Sequence, residues 1–243
     1  MKRAPGPVKN RLLDALGASD RRLLAGHLEA FALDRGDVLF EPGQEIMHVY
    51  FPGPGTVAVL LLDLREGIAA EAAMIGQEGA VGGVVSDGRK PAFTRGVVQI
   101  AGAAMRLPTD ILESAKQRSP GLRDHFARYA DCLLAQVLQS VACNAIHGLD
   151  ARLARWLLTT QDRIGGRELR MTQEFISEML GVRRTYTTRV VGRLRKSGAI
   201  EQRRGAITIV DRRKLERQAC ECYAYLRRHY ERVLPNVYPS FAG

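Results

Sequence analysis

Residues Met171 to Ile209 constrain this chain more than any other stretch. They read MTQEFISEMLGVRRTYTTRVVGRLRKSGAIEQRRGAITI. A short helix, QEFISEML, runs into Gly181, where the left-handed backbone of a sharp turn is open to glycine. Thr172 is placed to cap that helix, and Glu174 sits in its first turn, where negative charge suits the dipole. An arginine-studded helix follows, then Ser197-Gly198, then two short β-type segments hinged at Arg204-Gly205. Ile176, Leu180, Val182 and Val190 fall where two crossed helices bury side chains against each other. Ser177 is small where the helices approach. The order is helix, turn, helix, wing, which offers one helix to the major groove of a duplex.

The second helix carries Arg184, Thr185, Thr188 and Arg189 on one face by the i, i+4 rule. Arginine forks onto guanine O6 and N7, so these four are the expected base contacts. Arg183, Arg193, Arg203 and Arg204, with Thr172, are the expected contacts to the phosphate backbone. Charge supports a polyanionic partner. Residues 1–150 hold 16 Lys/Arg against 17 Asp/Glu, and residues 151–243 hold 20 against 9. The whole basic excess lies with the helix-turn-helix.

Other classes find little support. No apolar run approaches the 18 residues of a membrane span, and the basic N-terminus lacks the apolar stretch of a signal peptide. A cytoplasmic protein without a membrane partner is expected. His27, His48, His125, His147 and His229 are scattered. Gly76-Gln77-Glu78-Gly79 lacks the lysine and helix of a phosphate loop. No enzyme is expected. Cys132, Cys143, Cys220 and Cys222 read as reduced, partly buried thiols. Cys220 and Cys222 have no further ligand nearby in sequence, so no metal is expected.

The rest divides by pattern. Residues 8–32 read as one or two amphipathic helices. From Asp37 to about Leu107, short apolar runs alternate with glycine and proline, which argues for an antiparallel β roll. Ser119-Pro120 opens a long helix, serine as cap and proline in the first turn. Leu122, Phe126, Tyr129, Leu133 and Val137 recur along it and read as a coiled-coil-like dimer seam; packing against the chain's own barrel is the alternative. RLARWLL leads into the helix-turn-helix, and a last helix is expected from Arg212 to Leu234 behind Asp211. The fold class is α+β: a jelly-roll-like β roll over 1–118 with flanking helices, a dimerisation helix over 119–146, and a winged helix over 147–243.

These elements in this order resemble the Crp/Fnr family of bacterial transcription regulators. RLARWLL, TQEFISEMLGV, the arginines of the second helix, LRKSGAIEQRRGAITI and, in the roll, LFEPGQEIMHVYFPGPGTVAVL carry the resemblance. It implies a homodimer that binds duplex DNA and works with RNA polymerase. It assigns base contacts to Arg184 and Arg189, and backbone contacts to Thr172, Arg203 and Arg204. Thr185 stands where cyclic-AMP-binding members carry a glutamate, and Arg183 replaces a serine-type cap. The effector site departs further. The ribose-binding glutamate falls at Gly83, next to Gly82. The phosphate-binding arginine falls at Thr94 or Arg95, and Val137-Leu138 stand where adenine is held. Glu78 and Arg95 are the possible replacements. The expectation is a regulator with no resident cofactor that does not depend on cyclic AMP. The alternative is a cyclic-nucleotide or metabolite binder whose basic half contacts RNA or a protein.

Overall fold

A computed structural model describes residues 8–63, 69–84 and 91–239. Two short helices come first, α1 (Arg11–Asp14) and α2 (Ala18–Ala25). Asn10 caps α1 by accepting from Leu13 N, and its amide donates to the carbonyls of Pro52 and Gly79. The helical reading of 8–32 was too long. Gly17 and Gly26 interrupt it, and β1 (Glu29–Leu33) already belongs to a sheet.

The roll is built from β1, β2 (Val38–Phe40), β3 (His48–Pro52), β4 (Val57–Asp63), β5 (Ala69–Ile75), β6 (Arg95–Ile100) and β7 (Gly102–Pro108). One sheet runs β1-β7-β3 and the other β2-β6-β4-β5, with every pairing antiparallel. β1 pairs with β7 from Glu29↔Arg106 to Leu33↔Gly102, which pulls the start of the roll back to residue 29.

Helix α3 (Thr109–Arg118) leads to α4 (Pro120–Ile146). Ser119 caps α4 by accepting from Leu122 N, with Pro120 in its first turn. One face of α4 is spent inside the chain. Leu122, Phe126 and Tyr129 are at most 1% exposed. Phe126 meets Phe51 edge-on at 6.2 Å, and Tyr129 donates to Ala80 O at 2.9 Å. The expected dimer seam therefore does not run along this stripe: Leu122, Phe126 and Tyr129 hold α4 to its own roll, and Leu133 and Val137 are half-buried beside them. One residue over, Leu134, Leu138 and Val141 stand 55%, 59% and 64% exposed at spacings of four and three.

Helix α4 ends at His147-Gly148, both with extended backbone, and α5 (Leu149–Ile164) begins. Beyond lie β8 (Glu168–Leu169), α6 (Gln173–Leu180), α7 (Arg184–Lys196), β9 (Ile200–Arg203), β10 (Ala206–Ile209), α8 (Arg212–Gln218) and α9 (Cys222–Val233). Asp211 caps α8 by accepting from Lys214 N. The last helix is two, broken between Gln218 and Cys222. Its second half returns to the roll: Leu226, Tyr230, Leu234 and Tyr238 pack with Leu12, Phe126 and Tyr129.

The main core is shared. Val57, Val59, Leu61 and Met74 from the roll pack with Leu153, Trp156, Leu157, Ile176, Met179 and Val191. Helix α6 lies on β5. Trp156 Nε1 donates to the Glu71 carboxylate at 3.2–3.3 Å, and the Arg35 guanidinium sits 5.0 Å from the centre of the Phe175 ring. Among the described residues no helix is long and apolar enough to cross a membrane.

Candidate nucleic-acid interface

Helix α6 is fixed at both ends by its own sequence. Thr172 Oγ1 accepts from Phe175 N at 3.2 Å. Gly181 takes φ +64°, which brings Val182 N to Ser177 O at 2.9 Å. Where α6 and α7 cross, the Ser177 hydroxyl lies 3.0 Å from Thr187 Oγ1 and 2.6 Å from Gln173 O. Helix α7 buries Thr187, Val190, Val191 and Leu194. At 100° per residue, Thr185 and Arg189 stand opposite that face, with Arg184 and Thr188 on one flank. All four are exposed.

The surroundings adjust the expected roles. Thr188 Oγ1 lies 2.7 Å from Gln173 Oε1 and 3.0 Å from Arg184 O, so its hydroxyl is engaged within the protein. The Arg193 guanidinium forks onto Asp150 at the start of α5, with Nη2 to Oδ2 at 2.7 Å, in a half-exposed ion pair that braces α7. Asp150 is 43 residues away in sequence, so no local pattern shows the pair. Two surface features of α7 escaped the sequence reading. Tyr186 is 54% exposed beside Arg189, whose guanidinium lies 5.8 Å from its ring centre. Gly192 has open space where a Cβ would stand, on the outward face. Arg183 is exposed and supplies no side-chain cap to α7. In the wing, β9 and β10 pair through Ala206↔Arg203, Gly205 turns at φ +74°, and Arg203 and Arg204 are exposed at the tip. β8 completes the sheet in the order β8-β10-β9.

Residues 151–218 match the family model of the Crp-like helix-turn-helix domain. This part of the chain is a Crp-like helix-turn-helix domain. Over about four-fifths of its length the chain has the fold of Crp/Fnr regulators. FixK2 of Bradyrhizobium japonicum aligns with a TM-score of 0.68 at 15% identity, over 79% of this chain and 98% of that one. A Crp/Fnr-family transcriptional regulator of Thermus thermophilus gives 0.64 at 20% identity, over 79% and 98%. The global regulator CLP of Xanthomonas campestris, described as c-di-GMP responsive, gives 0.61 at 14%, over 79% and 99%. No curated protein matches the sequence.

The expected effector residues do not come together beside the Crp-like domain. A cavity of about 470 Å³ in the roll is lined by Gly82, Gly83 and Thr94, with Leu133 of α4. Glu78 lies elsewhere: it is 1% exposed and ion-paired with Arg163 of α5 at 2.8 Å. Arg95 is held by Asp63 at 2.8 Å. Val137 and Leu138 lie farther along α4, outside the cavity lining, and Leu138 is open to solvent. Glu78 and Arg95 are drawn away by charged partners from distant segments, Arg163 and Asp63. The described lining is apolar and carries Glu45, Asp110 and Glu113 but no lysine or arginine.

The fold also gathers thiols. Cys143 and His147, at the end of α4, meet Cys220 and Cys222, at the junction of α8 and α9. Their ligand atoms all lie within 4.8 Å of one another. The Cys220-Cys222 pair, which has no ligand near it in sequence, gains two neighbours from more than 70 residues upstream.

Proposed function

We propose that this chain is a homodimeric, sequence-specific DNA-binding transcription regulator of the Crp/Fnr type, acting in the cytoplasm with RNA polymerase as its partner. The observation that carries the reading is α7. Its inner face is wholly buried, its outer face holds Arg184, Thr185 and Arg189 exposed, and an arginine-tipped wing stands beside it. Arg184 and Arg189 read guanines, while Arg183, Arg203 and Arg204 lie on phosphates.

The second copy docks along Leu134, Leu138 and Val141. Their spacing of four and three is that of a coiled-coil seam, and a two-fold partner presents the same ridge. Two copies then place two α7 helices about 34 Å apart, one turn of duplex. Cyclic AMP is not the effector. Gly83, which lines the cavity, has no side chain to accept from a ribose hydroxyl, and Val137 and Leu138 lie outside the lining.

Selection of bound duplexes from a random pool tests the reading. It should yield a two-fold symmetric site with half-sites one helical turn apart, bound far more tightly than a scrambled duplex. Equal retention of all duplexes, or preferential retention of RNA, overturns it. Titration calorimetry with cyclic AMP should give no saturable heat in the micromolar range.

A further inference from the structure

We propose that Cys143, His147, Cys220 and Cys222 form a closed Cys3His site for a single thiophilic divalent cation, with zinc the best match. The ion ties the last turn of α4 to the segment joining α8 and α9.

The geometry carries the proposal. A tetrahedral zinc ion with Zn–S near 2.3 Å and Zn–N near 2.0–2.1 Å sets its ligand atoms about 3.5–3.8 Å apart. Cys143 Sγ and Cys220 Sγ are 3.5 Å apart, and Cys222 Sγ is 3.5 Å from His147 Nδ1. All four atoms fall within one 4.8 Å cluster. The three thiols are at most 6% exposed and free, and His147 closes the solvent side.

The surroundings are those of a ligand set. His147 turns its other nitrogen, Nε2, to Glu221 Oε1 at 3.3 Å. A metal-bound histidine needs that partner to fix its tautomer and leave Nδ1 free to coordinate. Gln139 Nε2 donates to Cys222 Sγ at 3.0 Å, as a donor to a thiolate does. Three thiolates on a divalent cation leave one net negative charge, and Arg155 of α5 acts electrostatically on Cys143 from beside the cluster. Soft sulfur ligands in a closed tetrahedron favour zinc over magnesium, calcium or manganese. Cys132 is a built-in control: it is buried in α4 but lies outside the cluster.

The position gives the ion a structural effect. Cys143 and His147 precede the break at His147-Gly148, after which α5 starts the Crp-like domain. Cys220 and Cys222 follow that domain. A bound ion therefore clasps the two ends of the segment that contains it.

The test uses the full chain, reduced and stripped by a chelator, and titrated with cobalt(II) alone. Tetrahedral ligand-field bands and a thiolate-to-cobalt charge-transfer band should saturate at one ion per chain, and added zinc should abolish them. Cys220→Ser should weaken binding at least 100-fold, and Glu221→Gln about 10- to 100-fold. Cys132→Ser should bind like the wild type. His147→Cys should keep four ligands, now all thiolates, with a red-shifted spectrum, and it remains informative if the buried serine variant fails to fold. Zinc should raise the melting midpoint of the wild type and leave that of Cys220→Ser unchanged. A folded wild-type chain that leaves cobalt with its faint octahedral spectrum overturns the site. So does a folded Cys220→Ser chain that binds cobalt unchanged.

Discussion

Arg163 Nε donates to Glu78 Oε1 at 2.8 Å, and neither side chain reaches solvent. The rest of the guanidinium is spoken for as well. Nη1 donates to Thr159 O, and Nη2 lies 3.0 Å from both Met74 O and Gln136 Oε1. Burial works against the charge on Arg163, and Glu78 outweighs it, so the arginine stays protonated. One side chain of α5 thus ties the corner after β5, α4 and its own helix together. Glu78→Gln should cost about 3–5 kcal/mol in urea unfolding, because it strands a buried cation. Arg163→Met combined with Glu78→Leu should recover most of that loss. A double variant no more stable than Glu78→Gln argues that packing, not the pair, is what was lost.

The two faces of α4 separate folding from association. Leu138→Glu should give folded monomers in sedimentation, with a melting temperature that no longer depends on protein concentration, since Leu138 is open to solvent in the single chain. Leu122→Ala should cost about 2–5 kcal/mol of stability and leave a folded dimer. The reverse pattern restores the buried stripe as the seam.

Arg189 and Arg204 carry equal charge in different places. Arg189→Ala should cost about 1–3 kcal/mol on the specific duplex and relax preference at one base pair. Arg204→Ala should weaken specific and scrambled duplexes alike and lower the salt slope by about one unit per chain. Anisotropy titrations across several salt concentrations compare them. If Arg189→Ala weakens both duplexes equally, α7 is not reading bases.

Glu71 gives stability a pH dependence. Burial pushes its carboxyl up to about 7, against the opposing donation from Trp156. Unfolded, it titrates near the ordinary carboxyl value of 4.5. Between those values the folded chain holds the extra proton, so stability falls as pH rises from about 5 to 7 and levels off above. The slope is at most about 1.4 kcal/mol per pH unit. Glu71→Gln keeps an acceptor for Trp156 and should flatten the slope. Urea midpoints at pH 5, 6, 7 and 8 measure it; a variant as steep as the wild type shifts the titration to another group.

The winged helix was legible because its determinants are local. Thr172, Gly181, the α7 stripe and Gly205 act within a few residues of themselves. The start of α4 was legible for the same reason, through Ser119-Pro120. What the sequence concealed is pairwise and distant. Leu133 and Leu134 are neighbours on one helix, and only the position of the roll decides which stripe is covered. Glu78 and Arg95 stand out in sequence as replacements for the missing effector ligands, and their partners, Arg163 and Asp63, answer to the fold. Cys143 meets Cys220 across 77 residues, with nothing in the intervening chain to announce it.

The core shared by the β roll and the Crp-like domain has a cost for motion. Met179 and Leu180 of α6 close against a sheet whose own interior contains Ala73 and Met74. Swinging α7 away from the roll wets that seam, so reorientation here is a fragment of unfolding. Operator affinity and melting temperature then become two readings of one equilibrium. Substitutions that loosen the seam should ease reorientation of α7 and melt the chain earlier in the same measure. A ligand that reorients α7 has to be bound tightly enough to make good the apolar surface it exposes.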